Sequence, residues 1–314
     1  MKICFIGFCG HSFDAYKALK RVNNAVICGY ANGSEHEKIS TSPLEGVTYY
    51  DNYKKMLDTE NPDIAVVSPV FGLTGEICIE CANRGIDIFA EKPVAKDIET
   101  LNRLKEAVVL NNVRFLAMHY LRYNPAFYTA AELVRKGAIG DITLLNAQKS
   151  YKYGTRPGWY ESKELYTGTI PWVGIHGIDW IYHFSGKKFL SVRALSDKGM
   201  PEKSAACLYE LEGGAIATLS VDYYRPSGAR THGDDRIRCV GTKGVLEVKD
   251  GRVLLIDSEG ERYIENEKAP DLFEEFLLGK DTIGREEVFY LTEIALLTSE
   301  AADINKRIDI GGAV

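Results

Sequence analysis

The sequence predicts an α/β protein in two parts: an N-terminal doubly wound parallel sheet, then a C-terminal α/β domain with a large, mostly antiparallel open sheet. Two observations lead there. Up to about residue 120, short apolar strands alternate with segments of helical periodicity, the signature of parallel strands joined by right-handed crossovers. From Asp141 onward strand-like segments follow one another directly, separated by turn residues, which is how antiparallel sheets read.

KICFIGF opens as an apolar strand running into a glycine-bearing turn, and FDAYKALKRV then carries Phe13, Tyr16, Ala18 and Leu19 at helical spacing. AVICGYA and VTYY read as the next strands. YKKMLDTE reads as a helix that stops at Asn61-Pro62, because the residue before proline is pushed out of the helical region. DIAVVSPV is apolar on both faces, as a strand covered on both sides must be. The helix TGEICIECANRG, the strand DIFAEKPV, the helix DIETLNRLKEAVVLN and the strand RFLAM complete the first part. NPAFYTAAELVRKG then starts a helix with Pro125 in its first turn. The strands expected after it are ITLLNAQKSYKY, SVRALSDK, SAACLYELE, GAIATLSVDYYR, RIRCVGTKGVLEV and RVLLIDSE, and REEVFYLTEIALLTSEAADINKR is expected to form a last, amphipathic helix.

Composition narrows the function. A net charge of −6 with no long basic run argues against nucleic acid as a partner. The longest apolar runs fall far short of the roughly 20 residues that span a bilayer, and the start is too abrupt for a signal peptide, so no membrane association and a cytoplasmic location are expected. Seven cysteines, an odd number set in apolar runs, read as reduced buried thiols. Cys78 and Cys81 fall within a helix and read as packing. None of the six histidines has ligand spacing, and no metal is expected.

Several segments could carry chemistry. In IGFCGHSF, Gly7 fits the first position of a dinucleotide-binding turn, while Cys9 and Ser12 stand where two further glycines are usual and Gly10 supplies part of the missing room. With a strand before and a helix after, Gly7, Phe8, Cys9, Gly10, His11 and Ser12 become candidates for holding a diphosphate. At the end of the second strand stands Asn32, with no carboxylate before Glu35 and no arginine, so the pattern leaves NAD or NADP open. Glu91-Lys92-Pro93 ends a strand at the carboxyl edge, where such sheets bind ligands. Lys92 near a nicotinamide could exchange protons with a substrate hydroxyl; general grounds favour a solvated lysine opening the loop before Asp97. His119 to Pro125, HYLRYNP, sits at the change of pattern. In GTIPWVGIHGIDW, helical spacing would place Trp172, His176 and Asp179 on one face, and spacing alone favours an aromatic core helix with a satisfied histidine.

In combination these segments carry more. The chain resembles the Gfo/Idh/MocA oxidoreductases, relatives of glucose–fructose oxidoreductase and inositol dehydrogenase. The resemblance runs nearly end to end through the glycine turn, Ser68-Pro69, EKP at 91–93, HYLRYNP at 119–125, the G-x-x-x-x-x-G-x-H-x-x-D pattern from Gly168 to Asp179, and GTKGVLEV at 241–248. It implies a Rossmann dinucleotide-binding domain at residues 1–120 and a substrate-binding and oligomerisation domain at 121–314. It also implies NAD or NADP as cofactor, a sugar-like substrate with a secondary alcohol, and a homodimer or homotetramer formed through the C-terminal sheet. Lys92 then matches the lysine that polarises the reacting oxygen and relays its proton, His176 the general acid/base, and Asp179 an acid that contacts substrate or orients the site.

The sequence departs from its relatives at two points. Trp172 stands where many of them have an aspartate four residues before the histidine, and Gly177 follows the histidine in place of another aspartate. Tryptophan cannot take a proton, but it can stack on a sugar face. Further candidates for the substrate side are Arg122, Tyr151, Arg156 and Trp159, the last three in YKYGTRPGWYES, where ordinary strand-end packing competes with ligand contact. Two other outcomes stay open: an NAD-assisted sugar lyase or glycosidase of the same family, and an inactive, cofactor-bound sensor.

Overall fold

Six strands, β1 (Lys2–Ile6), β2 (Val26–Ala31), β3 (Tyr49–Tyr50), β4 (Ile64–Val67), β5 (Asp87–Ala90) and β6 (Phe115–Ala117), pair in parallel in the order β3-β2-β1-β4-β5-β6. These positions come from a computed structural model that describes residues 1–37, 44, 46–280 and 282–311. The strand order reverses between β1 and β4, and in an open α/β sheet the crevice at that reversal receives ligands. All four residues of β4 are buried, as its unbroken apolar run requires.

Local chemistry sets where the connecting helices start and stop. After α1 (Ser12–Leu19), α2 (Tyr53–Glu60) is capped by the Asn52 side chain, which accepts from the amides of Lys54 and Lys55. It ends at Asn61 in the left-handed region, just before Pro62. Cys78 and Cys81 are fully buried on α3 (Thr74–Ala82), and burial drives the Cys81 thiol up to about 12, so both behave as packing groups. Asp97 caps α4 (Ile98–Leu110) through the amide of Thr100.

The described residues cluster into two units. The first comprises Met1–Met118, Glu161–Thr167 and Pro270–Glu293; the second comprises His119–Tyr160, Gly168–Ala269 and Ile294–Val314. Two later segments thus return to the first unit. The short α6 (Lys163–Tyr166) places Tyr166 against Phe71. In the other, α8 (Leu272–Leu277) packs Phe273 and Phe276 on Phe89, and Arg21 ties it down by pairing with both Asp271 and Glu274.

In the second unit, α5 (Pro125–Arg135) has Asn124 as its cap and Pro125 in its first turn. The nine strands of its sheet are β7 (Ile142–Tyr151), β8 (Phe189–Ser196), β9 (Ser204–Leu211), β10 (Ile216–Asp222), β11 (Gly233–Gly241), β12 (Gly244–Lys249), β13 (Arg252–Asp257), β14 (Gly260–Ile264) and β15 (Ile308–Asp309). They run in the order β14-β13-β12-β11-β7-β10-β9-β8-β15, antiparallel except for β10 beside β7. RIRCVGTKGVLEV, read as one strand, divides into β11 and β12 at Thr242-Lys243; β14 and β15 carry too little apolar pattern to stand out. The alternating burial of β9 shows one face packed and one face open. On the packed face lie α5 and α7 (Ile175–Ser185), where the fully buried Trp180 stacks on Phe127 with ring centroids 4.2 Å apart. A last helix, α9 (Arg285–Ile304), contributes Thr298, 3.2 Å from the buried Tyr209 hydroxyl.

Candidate active site

At the carboxyl edge of the first sheet, the turn after β1 is laced to the ends of β4 and β5. The Cys9 amide donates to the Ser68 carbonyl at 2.8 Å, and the Gly10 amide to Ser68 Oγ at 3.1 Å. His11 donates its backbone amide to Glu91 Oε2, and its Nδ1 lies 3.0 Å from both carboxylate oxygens. Burial alone would raise the Glu91 pKa, but the charges of His11 and Lys92 and the hydrogen bonds from His11 hold it down at about 2. Lys92, on the next residue, is only 2% exposed, with Nζ 3.7 Å from Glu91 Oε1. The competing expectation of a solvated lysine is therefore wrong. The Lys92–Pro93 bond is cis.

Two glycines make this lacing possible. Gly7 has φ +76°, and a Cβ there would lie 2.5 Å from Pro69 Cα. A Cβ on Gly10 would collide with the Glu91 carboxylate. Gly10→Ala is expected to cost about 1–3 kcal/mol through overpacking, read from the urea midpoint; an unchanged midpoint would show that Glu91 yields freely.

The same edge suits a dinucleotide. Ser12 Oγ, Asn32 Oδ1 and Thr74 Oγ1, following β1, β2 and β4, are buried without a hydrogen-bond partner among the described residues. Buried orphans of this kind are rare unless a ligand or water completes them. Thus Gly7, Cys9, Gly10, His11, Ser12, Asn32, Ser68, Pro69, Glu91 and Lys92 share one edge, and the residues present fit NAD or NADP. Phe8 has turned to packing, stacked on Phe5 at 5.7 Å and against Phe13 and Tyr30.

The second unit holds the other candidates. Ile170–Gly174 forms a π-helical turn leading into α7. The Ile170 amide donates to Glu202 Oε1 at 3.0 Å, and the Thr169 hydroxyl donates to the Glu202 carbonyl. Trp172 lies in this wide turn, so the regular α spacing expected from Trp172 through His176 holds only from His176 onward; wide turns of this sort gather at functional sites. His176 is 1% exposed, and its ring stacks with Trp180 at 6.5 Å. Asp179 is fully buried, receiving Arg122 Nε at 2.7 Å and Nη2 at 2.5 Å on one oxygen, with His119 Nδ1 3.5 Å from the other. Burial would raise its pKa, but Arg122 and His119 hold it well below the usual carboxylate range. Burial and the nearby Arg122 charge push His183 down to about 3, which keeps that ring neutral.

Tyr151, Arg156 and Trp159 belong to an aromatic group with Tyr153, Tyr160 and Tyr223. The Arg156 guanidinium sits 5.2–5.9 Å from the ring centres of Tyr153, Tyr160 and Tyr223, and Trp159 packs on Tyr160. Sequence reasoning missed Lys149. It is fully buried on β7, paired with Asp235 at 2.6 Å and lying over the rings of Tyr151 and Trp180. Burial lowers its pKa to about 8 despite Asp235. The available signal was phase: Lys149 falls at spacing two from the inward-facing Leu145 and Ala147, on the same face.

Comparison with known proteins finds a family description for each of two stretches of the chain. The description "Oxidoreductase family, NAD-binding Rossmann fold" matches residues 1–119, and "GFO/IDH/MocA C-terminal domain" matches residues 127–247. A solved structure of a Thermotoga maritima protein described as an oxidoreductase is 42% identical, with a TM-score of 0.94 over 99% of this chain and 100% of that one. The chain belongs to the Gfo/Idh/MocA oxidoreductase family.

More distantly similar proteins are named for different substrates. Trans-1,2-dihydrobenzene-1,2-diol dehydrogenase of Xenopus laevis is 24% identical over 251 residues, which is 78% of this chain and 74% of that protein. Levoglucosan dehydrogenase, solved with NADH and levoglucosan, is 16% identical with a TM-score of 0.85 over all of both chains, and so shares the fold. This Gfo/Idh/MocA protein is an NAD(P)-dependent oxidoreductase with a Rossmann-type first unit. Among the described residues, no helix is long and apolar enough to cross a membrane.

Proposed function

We propose that the protein oxidises a ring secondary alcohol of a sugar or cyclitol, or reduces the matching ketone, with Lys92 and His176 handling the hydroxyl proton. Bound NAD(P)+ supplies the hydride acceptor at its nicotinamide C4. As hydride leaves the carbinol carbon, the O–H proton must leave too, or the carbonyl cannot form. Lys92 donates a hydrogen bond to the reacting oxygen and relays that proton, while His176 accepts it. Trp172 stacks on the ring face in place of the aspartate usual in relatives. The Arg122–Asp179 pair acts as a buried strut that positions the start of α7.

The observation that carries this proposal is Lys92 itself. An ammonium 2% exposed at the cofactor edge is costly to bury without a purpose, and Glu91 beside it, ionised at neutral pH, offsets that cost. Relatives named for a ring diol and an anhydrosugar support the substrate class. In the test, myo-inositol, glucose, levoglucosan and trans-dihydrobenzenediol are offered with NAD+ and with NADP+. Reduced dinucleotide should form in step with ketone; product appearing without it would count against the proposal.

We also propose that the protein forms a homodimer or homotetramer through the open face of the second sheet. Leu195, Leu208 and Ile216 lie on it at 59%, 45% and 46% exposure, on the neighbouring strands β8, β9 and β10, and apolar side chains grouped in this way mark interaction surfaces. Leu208→Arg should lower the assembly state measured by light scattering; an unchanged mass would place the interface elsewhere. The seven free thiols support a reducing, cytoplasmic setting.

A further inference from the structure

The end of β2 lacks the carboxylate that usually meets the adenosine ribose, since Asn32 stands there and Glu35 is exposed. The fold supplies one from further along. Glu37, 7% exposed, turns back so that Oε2 accepts from the Gly33 amide at 3.1 Å and Oε1 from the Val70 amide at 2.9 Å. Asn32 secures this loop by donating Nδ2 to the Glu37 carbonyl at 3.1 Å. Gly33 leaves the room, for a Cβ there would come within 2.8 Å of Glu37 Oε1 and collide with Pro69. The Glu37 carboxylate therefore bridges the residues that follow β2 and β4, the strands flanking β1, which is the adenosine end of the ligand crevice in such sheets.

We propose that Glu37 is the specificity-determining residue for the cofactor, accepting a hydrogen bond from the adenosine ribose and excluding a 2′-phosphate, so that the enzyme uses NAD+. The proposal rests on the dinucleotide reading of the first unit. An ionised carboxylate has about four acceptor sites; the amides of Gly33, Val70 and Ser34 act on it, which leaves a site for a ribose hydroxyl. A 2′-phosphate brought against the same carboxylate meets like charge where water is largely excluded. Burial moves Glu37 up to about 7 even though three backbone amides pull it down. Cys9 of the glycine turn also senses this charge, and burial keeps its thiol neutral. Discrimination against NADP+ is accordingly strongest above neutrality and relaxes as Glu37 takes up a proton.

The test measures dissociation constants of NAD+ and NADP+ by calorimetry for the whole protein and for Glu37→Gln, at about pH 6 and about pH 8. The unaltered protein should bind NAD+ at least about tenfold tighter than NADP+ at the higher pH, and Glu37→Gln should shrink that ratio about tenfold, mainly by gaining NADP+. The 2′-phosphate itself ionises near pH 6, so the substituted protein is the control, and its ratio should change less with pH. A ratio unchanged in Glu37→Gln would make Glu37 a loop clip and overturn the proposal, as would tighter NADP+ binding by the unaltered protein. Should Glu37→Gln not fold, the pH trend is compared with Asn32→Asp, which restores a carboxylate to β2 and should weaken the trend; an equal trend would overturn the proposal. Binding of neither dinucleotide by the unaltered protein would overturn the cofactor reading as well.

Discussion

Lys92→Met should lower kcat by roughly 10²–10⁴-fold, the range for losing a positioned proton-transfer group. Methionine roughly keeps the stem's volume and removes the charge. Glu91 loses one cation but retains the His11 amide and imidazole, so the glycine turn stays laced and NAD+ affinity should hold within about threefold. His176→Gln should cause a loss of similar size, because the amide can still hydrogen-bond but cannot accept the proton. The check is steady-state kinetics beside calorimetric binding for both variants. Full turnover in both would remove these residues from the chemistry.

A comparable effect on stability is expected at Asp179. Asp179→Asn takes from Arg122, itself 4% exposed, the carboxylate charge that its guanidinium meets, and breaking a buried pair in this way costs about 3–5 kcal/mol. The pH dependence has a definite sign. Asp179 and Glu91 are both held below their unfolded pKa values, so each adds stability that is complete above about pH 4–5 and is lost as pH falls toward the folded values. The urea midpoint should thus drop between about pH 4 and pH 2, and the Asp179→Asn protein should lose part of that slope. An unchanged midpoint in the variant would mean that Arg122 finds another partner.

Much of this was legible because it is written in short-range pattern. The unbroken apolar run of β4, the stop of α2 at Asn61-Pro62 and Pro125 opening α5 each follow from one or two residues and their backbone preferences. Family resemblance supplied what spacing alone could not, turning His176 from an incidental core histidine into a candidate. What stayed hidden depends on side chains reaching across the fold. Nothing near Glu37 in sequence tells that it, and not Glu35, turns inward, because its partners Gly33 and Val70 converge only when β2 and β4 flank β1. Arg122 and Asp179 were both singled out for substrate, yet 57 residues apart no pattern could show them binding each other. The π turn at Ile170–Gly174 also escaped, since a one-residue widening leaves apolar spacing almost intact.

In the proposed reaction a ring carbon gives up hydride while Lys92 and His176 take its hydroxyl proton. Its most direct measurement uses a polyol turned over by the protein, deuterated at the reacting carbon, with NAD+ in stoichiometric amount. Deuterium is expected on C4 of the reduced dinucleotide, one label per ketone formed, with a rate at least about 100-fold lower in Lys92→Met. Label retained in the sugar product, or transfer undiminished in Lys92→Met, would contradict it.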